Sequence, residues 1–321
     1  MTTLPLVEVA GLVKRYPVRK GLFAREVGQV HAVEDVSFSI GRNEVLGLAG
    51  ESGSGKSTIG RMLLRLIEPT AGQILFDGDD VGTMDTRALQ AFRRRAQIIF
   101  QDPFASLDPL MTVGDSIAEP LRIQGLARGS EVDDRVAALL DSVSLPRDFA
   151  KRRPDALSGG QRQRVVIARA LSVDPSFIVA DEPVSALDVS IQAQILALLE
   201  TLKSGRSLSM LFISHDIAVM EYVSDRIAVL YLGHLMEIGP SADVVASPRH
   251  PYTEALVSAV PGADGRRIVL EGDVPNAMAP PSGCVFRTRC PYALPECGVS
   301  VPPLREVAPG HFKACIRDDK P

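Results

Sequence analysis

The most informative part of the sequence is the nonapeptide Gly50-Glu51-Ser52-Gly53-Ser54-Gly55-Lys56-Ser57-Thr58. It matches the pattern G-x-x-x-x-G-K-[ST], which describes a phosphate-binding loop between a strand and a helix. Residues 45–49, just before it, form a short apolar run typical of a buried strand. After it, apolar residues recur at the spacing of one helical face, at Ile59, Met62, Leu63, Leu66 and Ile67. The sequence therefore predicts a strand, a glycine-rich loop and a helix in the order that the motif requires.

The residue types in this loop suit the phosphates of a nucleotide. Glycines let backbone N–H groups close around phosphate oxygens, and the N-terminus of the following helix adds a partial positive charge. Lys56 can reach the outer phosphates, and the hydroxyl of Ser57 can bind Mg²⁺. We therefore predict a site for a nucleotide and Mg²⁺ over residues 50–58.

Length and composition limit the functions that the chain can have. Its 321 residues are enough for one large α/β domain and an appendage, and its net charge of −4 does not favour nucleic-acid binding. Trp is absent and aromatic residues make up 5%, so surfaces for stacking single-stranded bases are scarce. No apolar run approaches the length of about 18 residues needed to span a bilayer. The first residues show no secretory signal, so we expect a cytoplasmic setting, where disulfides are disfavoured.

In the first third of the chain, the residue pattern predicts strands around the phosphate-binding loop. A strand over residues 6–16 is expected to end at Tyr16, followed by a loop over 17–30. Residues 104–156 have helical patterns and many loop residues, which indicates a helical subdomain inserted into the sheet domain.

The following part places polar residues at the ends of strands and helices. Ser158 and Gln161 have the spacing of a capping box at the start of a helix over 160–172. Buried strands at 177–180 and 211–214 lead into Asp181-Glu182 and His215-Asp216, with a helix between them that Gly205 ends. Beyond these, we predict a hairpin over 226–238, and from about residue 247 one short helix and an irregular appendage.

Five features now follow one another in a fixed order: the loop at 50–58, Gln101, the run 157–164 with its Ser-Gly-Gly-Gln, Asp181-Glu182, and His215. In this order they resemble the nucleotide-binding subunits of ABC transporters, and the Ser-Gly-Gly-Gln run is specific to ABC-type ATPases. A narrower resemblance is to the ATP-binding subunits of bacterial dipeptide and oligopeptide importers. It is carried by segments 14–18, 50–53, 183–190, 248–253 and 283–291.

The resemblance implies a fold and a domain plan. The fold is the α/β cassette of P-loop NTPases, with a RecA-like mixed sheet, an antiparallel β subdomain and an inserted helical subdomain. The ATP-binding domain is expected over residues 1–246, with the helical subdomain at about 104–175. Residues 247–321 form the C-terminal region of the oligopeptide-importer type, which contains the four cysteines.

The strand-end residues are the candidates for catalysis. Asp181 is expected to bind Mg²⁺, and Glu182 to polarise the attacking water as general base. The resemblance implies that His215 contacts the γ-phosphate, and that Gln101 touches Mg²⁺ or the lytic water and senses the membrane subunit. From the residues alone, Glu182 could also be a solvated loop acid and His215 a structural residue.

Nucleotide binding is expected to involve two chains. In the family, the helix N-terminus at Ser158, Gly159, Gly160 and Gln161 faces the γ-phosphate held by the other subunit, and Asp188 lies at the same interface. An ordinary capped helix is the alternative. Tyr16 would stack on the adenine; the other interpretation is a core tyrosine at a strand end. The resemblance thus assigns the following residues to ATP: Tyr16, Gly50, Glu51, Ser52, Gly53, Ser54, Gly55, Lys56, Ser57, Thr58, Ser158, Gly159, Gly160, Gln161 and Asp188.

The resemblance also implies partners and a location. The partners are a second ATP-binding subunit, a paralogue rather than an identical copy, two transmembrane permease subunits and, indirectly, an extracytoplasmic binding protein. No nucleic acid is expected. The chain would lie peripherally on the cytoplasmic face of the bacterial inner membrane and drive uptake of di- or oligopeptides. Nickel, glutathione, opines and oligosaccharides are alternative cargoes. A soluble ABC-type ATPase acting on ribosomes or DNA, and a regulatory cassette that does not hydrolyse ATP, are alternative functions.

The four cysteines are Cys284, Cys290, Cys297 and Cys315, with the spacing C-x5-C-x6-C-x17-C. No C-x2-C pair is present, so a zinc site fits poorly. Four thiolates could hold an iron–sulfur cluster, and the resemblance supports a [4Fe–4S] cluster, since some peptide-importer subunits carry one in this region. Four reduced, unliganded thiols are the alternative.

Overall fold

A computed structural model describes residues 4–21, 25–260 and 267–318 of the chain. The chain folds as two compact units. The first unit is formed by Met1–Gly41, Val45–Thr83 and Phe212–Pro321, and the second by Arg42–Glu44 and Met84–Leu211.

The strands and helices alternate along much of the chain. The strands are β1 (Val7–Lys20), β2 (Arg25–Ile40), β3 (Val45–Ala49), β4 (Ala71–Phe76), β5 (Asp79–Asp80), β6 (Ala96–Ile99), β7 (Phe177–Asp181), β8 (Ser209–Ile213), β9 (Arg226–Tyr231), β10 (His234–Pro240), β11 (Arg305–Ala308) and β12 (His311–Lys313). The helices are α1 (Lys56–Leu63), α2 (Thr86–Arg95), α3 (Val113–Ile123), α4 (Ser130–Ser142), α5 (Gly159–Leu171), α6 (Val189–Arg206), α7 (Ile217–Val223), α8 (Ser241–Ala246) and α9 (Pro251–Ser258). Short 3₁₀ turns lie at Val81–Thr83, Arg147–Lys151, Pro154–Ala156 and Pro295–Gly298.

The first unit contains an antiparallel sheet in the order β2-β1-β4-β5. The prediction that β1 ends at Tyr16 and that residues 17–30 form a loop is wrong, because β1 and β2 continue as a long hairpin in which Tyr16 pairs with Val30. β4 pairs with β1 only as far as Val13, so one edge of β1 is open at Pro17, and an edge strand is where a sheet can accommodate proline.

The first unit also contains strands in the order β11-β12-β10-β9-β3. The parallel pair β3 and β9 is almost completely buried, and β9 and β10 form the predicted hairpin. The prediction of an irregular C-terminal appendage is wrong for β11 and β12, which add a small hairpin to the edge of β10. Strands of three and four residues are too short to show a clear alternating pattern in the sequence.

The second unit combines the parallel strands β6 and β7 with a group of helices. Helix α4 lies within the segment predicted to be helical, and its residues Val132, Val136, Leu139 and Leu140 are buried in the core. Helix α5 (Gly159–Leu171) begins after Ser158 and agrees with the predicted helix over 160–172 to within one residue at each end. Helix α6 passes through Gly205, where we predicted its end, and stops at Ser207, which adopts the left-handed conformation. Strand β8 begins in the second unit and ends in the first.

Across the described residues, every helix is too short or too polar to cross a lipid bilayer.

Candidate nucleotide-binding site

The glycine-rich loop joins β3 to α1, in the context that the motif predicts. Gly50, Gly53 and Gly55 all have positive φ angles, of 148°, 80° and 104°. A Cβ atom on Gly50 would lie 2.1 Å from the carbonyl oxygen of Leu230, and one on Gly55 would lie 2.3 Å from that of Ala32. Only glycine fits these two positions, because a side chain would strain the backbone and collide with it.

Lys56 is the first residue of α1, and its side chain is buried. Its Nζ donates hydrogen bonds to the carbonyl oxygens of Gly50 (2.7 Å) and Glu51 (2.9 Å). Ser57 and Thr58 follow in the first turn of the helix. The loop therefore combines an ammonium group, a helix N-terminus and glycine backbone, a donor set that fits the phosphates of a nucleotide.

His215 follows β8, at the same end of the first unit as the loop. The N–H of Ser214 donates to the carbonyl oxygen of Leu48 in β3 (3.4 Å), which places this segment beside the strand that carries the loop. His215 is exposed, while Asp216 caps α7 by accepting hydrogen bonds from Ala218 and Val219. An exposed histidine at a strand end can reach a bound ligand.

Tyr16 lies within the β1–β2 hairpin and is 37% exposed, so it is not a core tyrosine. The Nζ atom of Lys14 lies 5.0 Å from the centre of its ring. An exposed aromatic ring next to a cation is suited to stacking on a planar ligand.

In the second unit, β7 brings Asp181 and Glu182 to its carboxyl end. Asp181 is 3% exposed, and Glu182 has a φ angle of 47°, in the left-handed region. The carbonyl oxygen of Glu182 accepts hydrogen bonds from the N–H (3.3 Å) and the hydroxyl (3.1 Å) of Ser185, which hold this conformation. Left-handed conformations cost free energy in residues other than glycine and concentrate at functional sites.

Gln101 and Glu182 meet because of the register of a parallel strand pair. Ile99 of β6 lies opposite Ala180 of β7, so residues two further along each strand emerge side by side. The Gln101 Nε2 donates to the Glu182 Oε2 at 3.0 Å. Two of the three predicted catalytic residues are therefore in direct contact.

The Ser-Gly-Gly-Gln run forms the predicted capping box. The Ser158 Oγ accepts from the Gln161 N–H (3.3 Å), and the Gln161 Oε1 accepts from the Ser158 N–H (3.0 Å). A Cβ atom on Gly160 would lie 2.5 Å from the Cγ2 of Ile191, so a glycine is needed for α5 to pack on the start of α6. Asp188 is the first residue before α6, is exposed, and makes no side-chain cap bond there.

Two residues that the sequence analysis did not assign contact the glycine-rich loop. The Glu51 N–H donates to the hydroxyl oxygen of Tyr252 (2.9 Å), and Arg289 forms an ion pair with the Glu51 carboxylate (2.9 Å). Tyr252 and Arg289 lie in the segments 248–253 and 283–291, on which the resemblance to peptide importers partly depends. Because both segments carry this resemblance, the sequence contained a signal that could have linked them to one site.

The four cysteines are all free, with Cys284 and Cys297 buried and Cys290 and Cys315 partly exposed. Burial raises the pKa of Cys284, and it raises the pKa of Cys290 to about 11. In the described part of the chain, no three His, Cys, Asp or Glu side chains are placed to hold a metal ion. The arrangement therefore does not support the predicted iron–sulfur cluster.

A buried strand that leads into a glycine-rich loop, a capped Ser-Gly-Gly-Gln helix and a strand-end Asp-Glu pair together define an ATP-binding cassette. A sequence model of the ABC transporter family matches residues 33–185, and one described as the oligopeptide/dipeptide transporter C-terminal region matches residues 236–297. This chain belongs to the ABC transporter family, as an ATP-hydrolysing cassette that uses ATP and, typically, Mg²⁺.

Relatives cover nearly the whole length of the chain. A putative peptide import ATP-binding protein of Brucella ovis is 57% identical over 99% of this chain and 100% of its own. The oligopeptide transport ATP-binding protein AppF of Bacillus subtilis is 49% identical over 97% of this chain and 96% of its own.

Solved structures show the same fold. A cassette in a dimeric post-hydrolysis state bound to ADP and Pi is 32% identical, with a TM-score of 0.65 over 73% of this chain and 98% of that chain. The cbiO1 protein of Clostridium perfringens, part of an ABC transporter complex, is 25% identical, with a TM-score of 0.66 over 76% of this chain and 91% of that chain. The predicted fold class is thus confirmed.

Proposed function

We propose that this chain is the ATP-hydrolysing subunit of a bacterial importer of di- and oligopeptides, working on the cytoplasmic face of the inner membrane. One observation supports this proposal most strongly. The chain contains both the cassette motifs and a C-terminal region, residues 236–297, that matches the oligopeptide/dipeptide transporter family. The names of the Brucella and Bacillus relatives support the same cargo.

The catalytic step that we assign to this chain is the activation of water. Glu182 accepts a proton from the water that attacks the γ-phosphate. The Gln101 Nε2 donates to one carboxylate oxygen of Glu182 at 3.0 Å, which orients the carboxylate at the end of β7. Lys56 and the loop backbone hold the phosphates, and His215 contacts the γ-phosphate. Ser57, Asp181 and Gln101 would hold Mg²⁺, which neutralises charge on the phosphates when it is bound.

The second half of the site comes from another cassette. The exposed Ser158 turn is a helix N-terminus with small residues and suits a phosphate anion. We propose that this turn and Asp188 face the ATP of the partner, so that ATP holds two cassettes together and hydrolysis releases them. One related cassette is dimeric in its post-hydrolysis state, which supports this arrangement. The partners are a paralogous cassette, two permease subunits and, indirectly, a binding protein.

The cargo is tested by reconstitution. We expect the complex of this chain with its permease subunits and binding protein, in vesicles, to accumulate labelled di- or oligopeptides only when ATP is supplied. A Lys56→Ala variant should abolish uptake, because the loop then lacks its ammonium group. Uptake of nickel, glutathione, an opine or an oligosaccharide in place of peptides would contradict the cargo while leaving the ATPase assignment intact. ATPase activity that responds to ribosomes or DNA would contradict transport itself.

The iron–sulfur cluster stays a prediction. Within the described residues, the four cysteines are not placed as a ligand set. We assign no step of transport to a cluster. Protein purified without oxygen should be brown and absorb at about 400 nm if a cluster is held, and the Cys290→Ser variant should then lose the colour. Colourless wild-type protein that contains no iron would show that the thiols are unliganded.

A further inference from the structure

The phosphate-binding loop contains an acidic residue in its second position, Glu51. The rest of the loop favours anions, because Lys56 and the N-terminus of α1 both supply positive charge. An unneutralised carboxylate a few ångströms from a triphosphate would oppose its binding by Coulomb repulsion. The structure shows how this charge is balanced.

Arg289 neutralises Glu51. Its Nη1 atom lies 3.2 Å from one carboxylate oxygen of Glu51 and 2.9 Å from the other. The Arg289 side chain is 10% exposed and that of Glu51 is 28% exposed, so water screens the pair only partly. Arg289 also donates to the hydroxyl of Tyr231 (3.4 Å), which orients the guanidinium group.

Tyr252 fixes the backbone of the same residue. Its hydroxyl oxygen accepts the N–H of Glu51, and its ring is fully buried, at centroid distances of 4.7 Å from Tyr231 and 5.2 Å from Phe286. A buried ring in contact with two others leaves the hydroxyl little freedom to move.

A buried carboxylate anchors the start of the helix that carries Tyr252. Glu237 accepts hydrogen bonds from the N–H groups of Arg249 and His250 and contacts the His311 Nε2, each at 2.7 Å. His250 Nδ1 in turn accepts the N–H of Tyr252 at 3.0 Å. Burial acts to raise the pKa of Glu237, but these hydrogen bonds outweigh it and lower the pKa, so Glu237 is ionised. The C-terminal part of the chain thus supports the loop through a continuous set of bonds.

We propose that Tyr252 and Arg289 form a C-terminal clamp that holds and neutralises Glu51, and thereby sets the affinity of the loop for ATP. The proposal rests on the proposed function of the loop. Tyr252 and Arg289 are positioning residues, since they act on the nucleotide through Glu51. On this proposal, the C-terminal region contributes to the affinity of the loop for ATP.

The test is a double-mutant cycle on Glu51 and Arg289. In the Arg289→Gln variant we expect the Kd for ATP to rise about tenfold, because Glu51 is left unpaired beside the phosphates. We expect kcat at saturating ATP to change less than about twofold, since the water-activating residues are untouched. The Glu51→Gln/Arg289→Gln double variant should bind ATP within about threefold of wild type, because the repulsion is removed with the charge.

Arg287→Gln is the matched control. Arg287 lies two residues from Arg289 but bonds to Ser282, at 2.8 Å from its carbonyl oxygen, so its replacement should leave the Kd for ATP unchanged. Thermal unfolding of each variant checks that it is folded, and if Arg289→Gln is not, the comparison uses Tyr252→Phe, whose Kd should rise about threefold.

Unchanged ATP affinity in folded Arg289→Gln protein would overturn the clamp, and so would a loss of affinity that Glu51→Gln does not repair. These results differ from a failure of the proposed function, in which wild-type protein itself does not bind or hydrolyse ATP.

Discussion

The Glu182→Gln variant is expected to hydrolyse ATP about 10²- to 10³-fold more slowly than wild type, with little change in the Kd for ATP. Glutamine has the size of glutamate but cannot accept a proton from the attacking water. Its side-chain oxygen can still accept the hydrogen bond from the Gln101 Nε2, now at 3.0 Å from the Glu182 Oε2, so the geometry at the end of β7 should survive. Phosphate release at saturating ATP and the binding of a fluorescent ATP analogue measure the two quantities.

The same variant should also accumulate as a cassette pair. In the proposed arrangement, ATP that is bound but not cleaved would keep its γ-phosphate between the loop of one chain and the Ser158 turn of the other. Light scattering of the variant with its partner subunit should therefore show pairing that depends on ATP and is lost with ADP. Glu221→Gln, an exposed glutamate of α7, is the control and should behave as wild type. Full ATPase activity in Glu182→Gln would show that the base assignment is wrong.

The parts of the site that are local in sequence could be predicted from the sequence. The glycine-rich loop and the Ser158–Gln161 capping box each depend on residues within a single turn or loop, and the structure confirms both conformations. The contact between Gln101 and Glu182 spans 81 residues, yet each follows an apolar strand, and adjacent parallel strands end at the same edge.

Other parts could not be predicted, because they depend on distant partners. Arg289 and Glu51 are 238 residues apart, and their ion pair leaves no periodic trace in either segment. A proline at position 17 is typical of the end of a strand, whereas in the structure β1 continues through it along an edge that β4 leaves open. The spacing of the cysteines could not show whether their side chains converge, since this depends on the fold of the segments between them.

The Gly160→Val variant should separate nucleotide binding from pairing. A Cβ atom at this position would lie 2.5 Å from the Cγ2 of Ile191, and valine adds two further methyl groups, so the start of α5 must move away from α6. Ser158 and Gln161 move with it, which displaces the donors proposed to face the partner's γ-phosphate. We expect ATPase activity to fall about 100-fold, as on loss of aligned donors in other active sites. The Kd for ATP should stay within about twofold of wild type, because residues 50–58 of the same chain are unchanged.

Gly205→Val provides the matched control for this prediction. Gly205 lies in α6, and a Cβ atom there would meet no other atom within 4 Å, so valine should change the free energy of unfolding by only about 0.5 kcal/mol or less, in the stabilising direction, because its helix propensity exceeds that of glycine. Overpacking at Gly160 is expected to lower the free energy of unfolding by about 1–3 kcal/mol, so both variants are assayed well below their unfolding temperatures. Introducing Gly160→Val into Glu182→Gln protein should abolish the ATP-dependent pairing seen by light scattering. If the combined variant still pairs fully with ATP, the Ser158 turn does not hold the second side of the nucleotide.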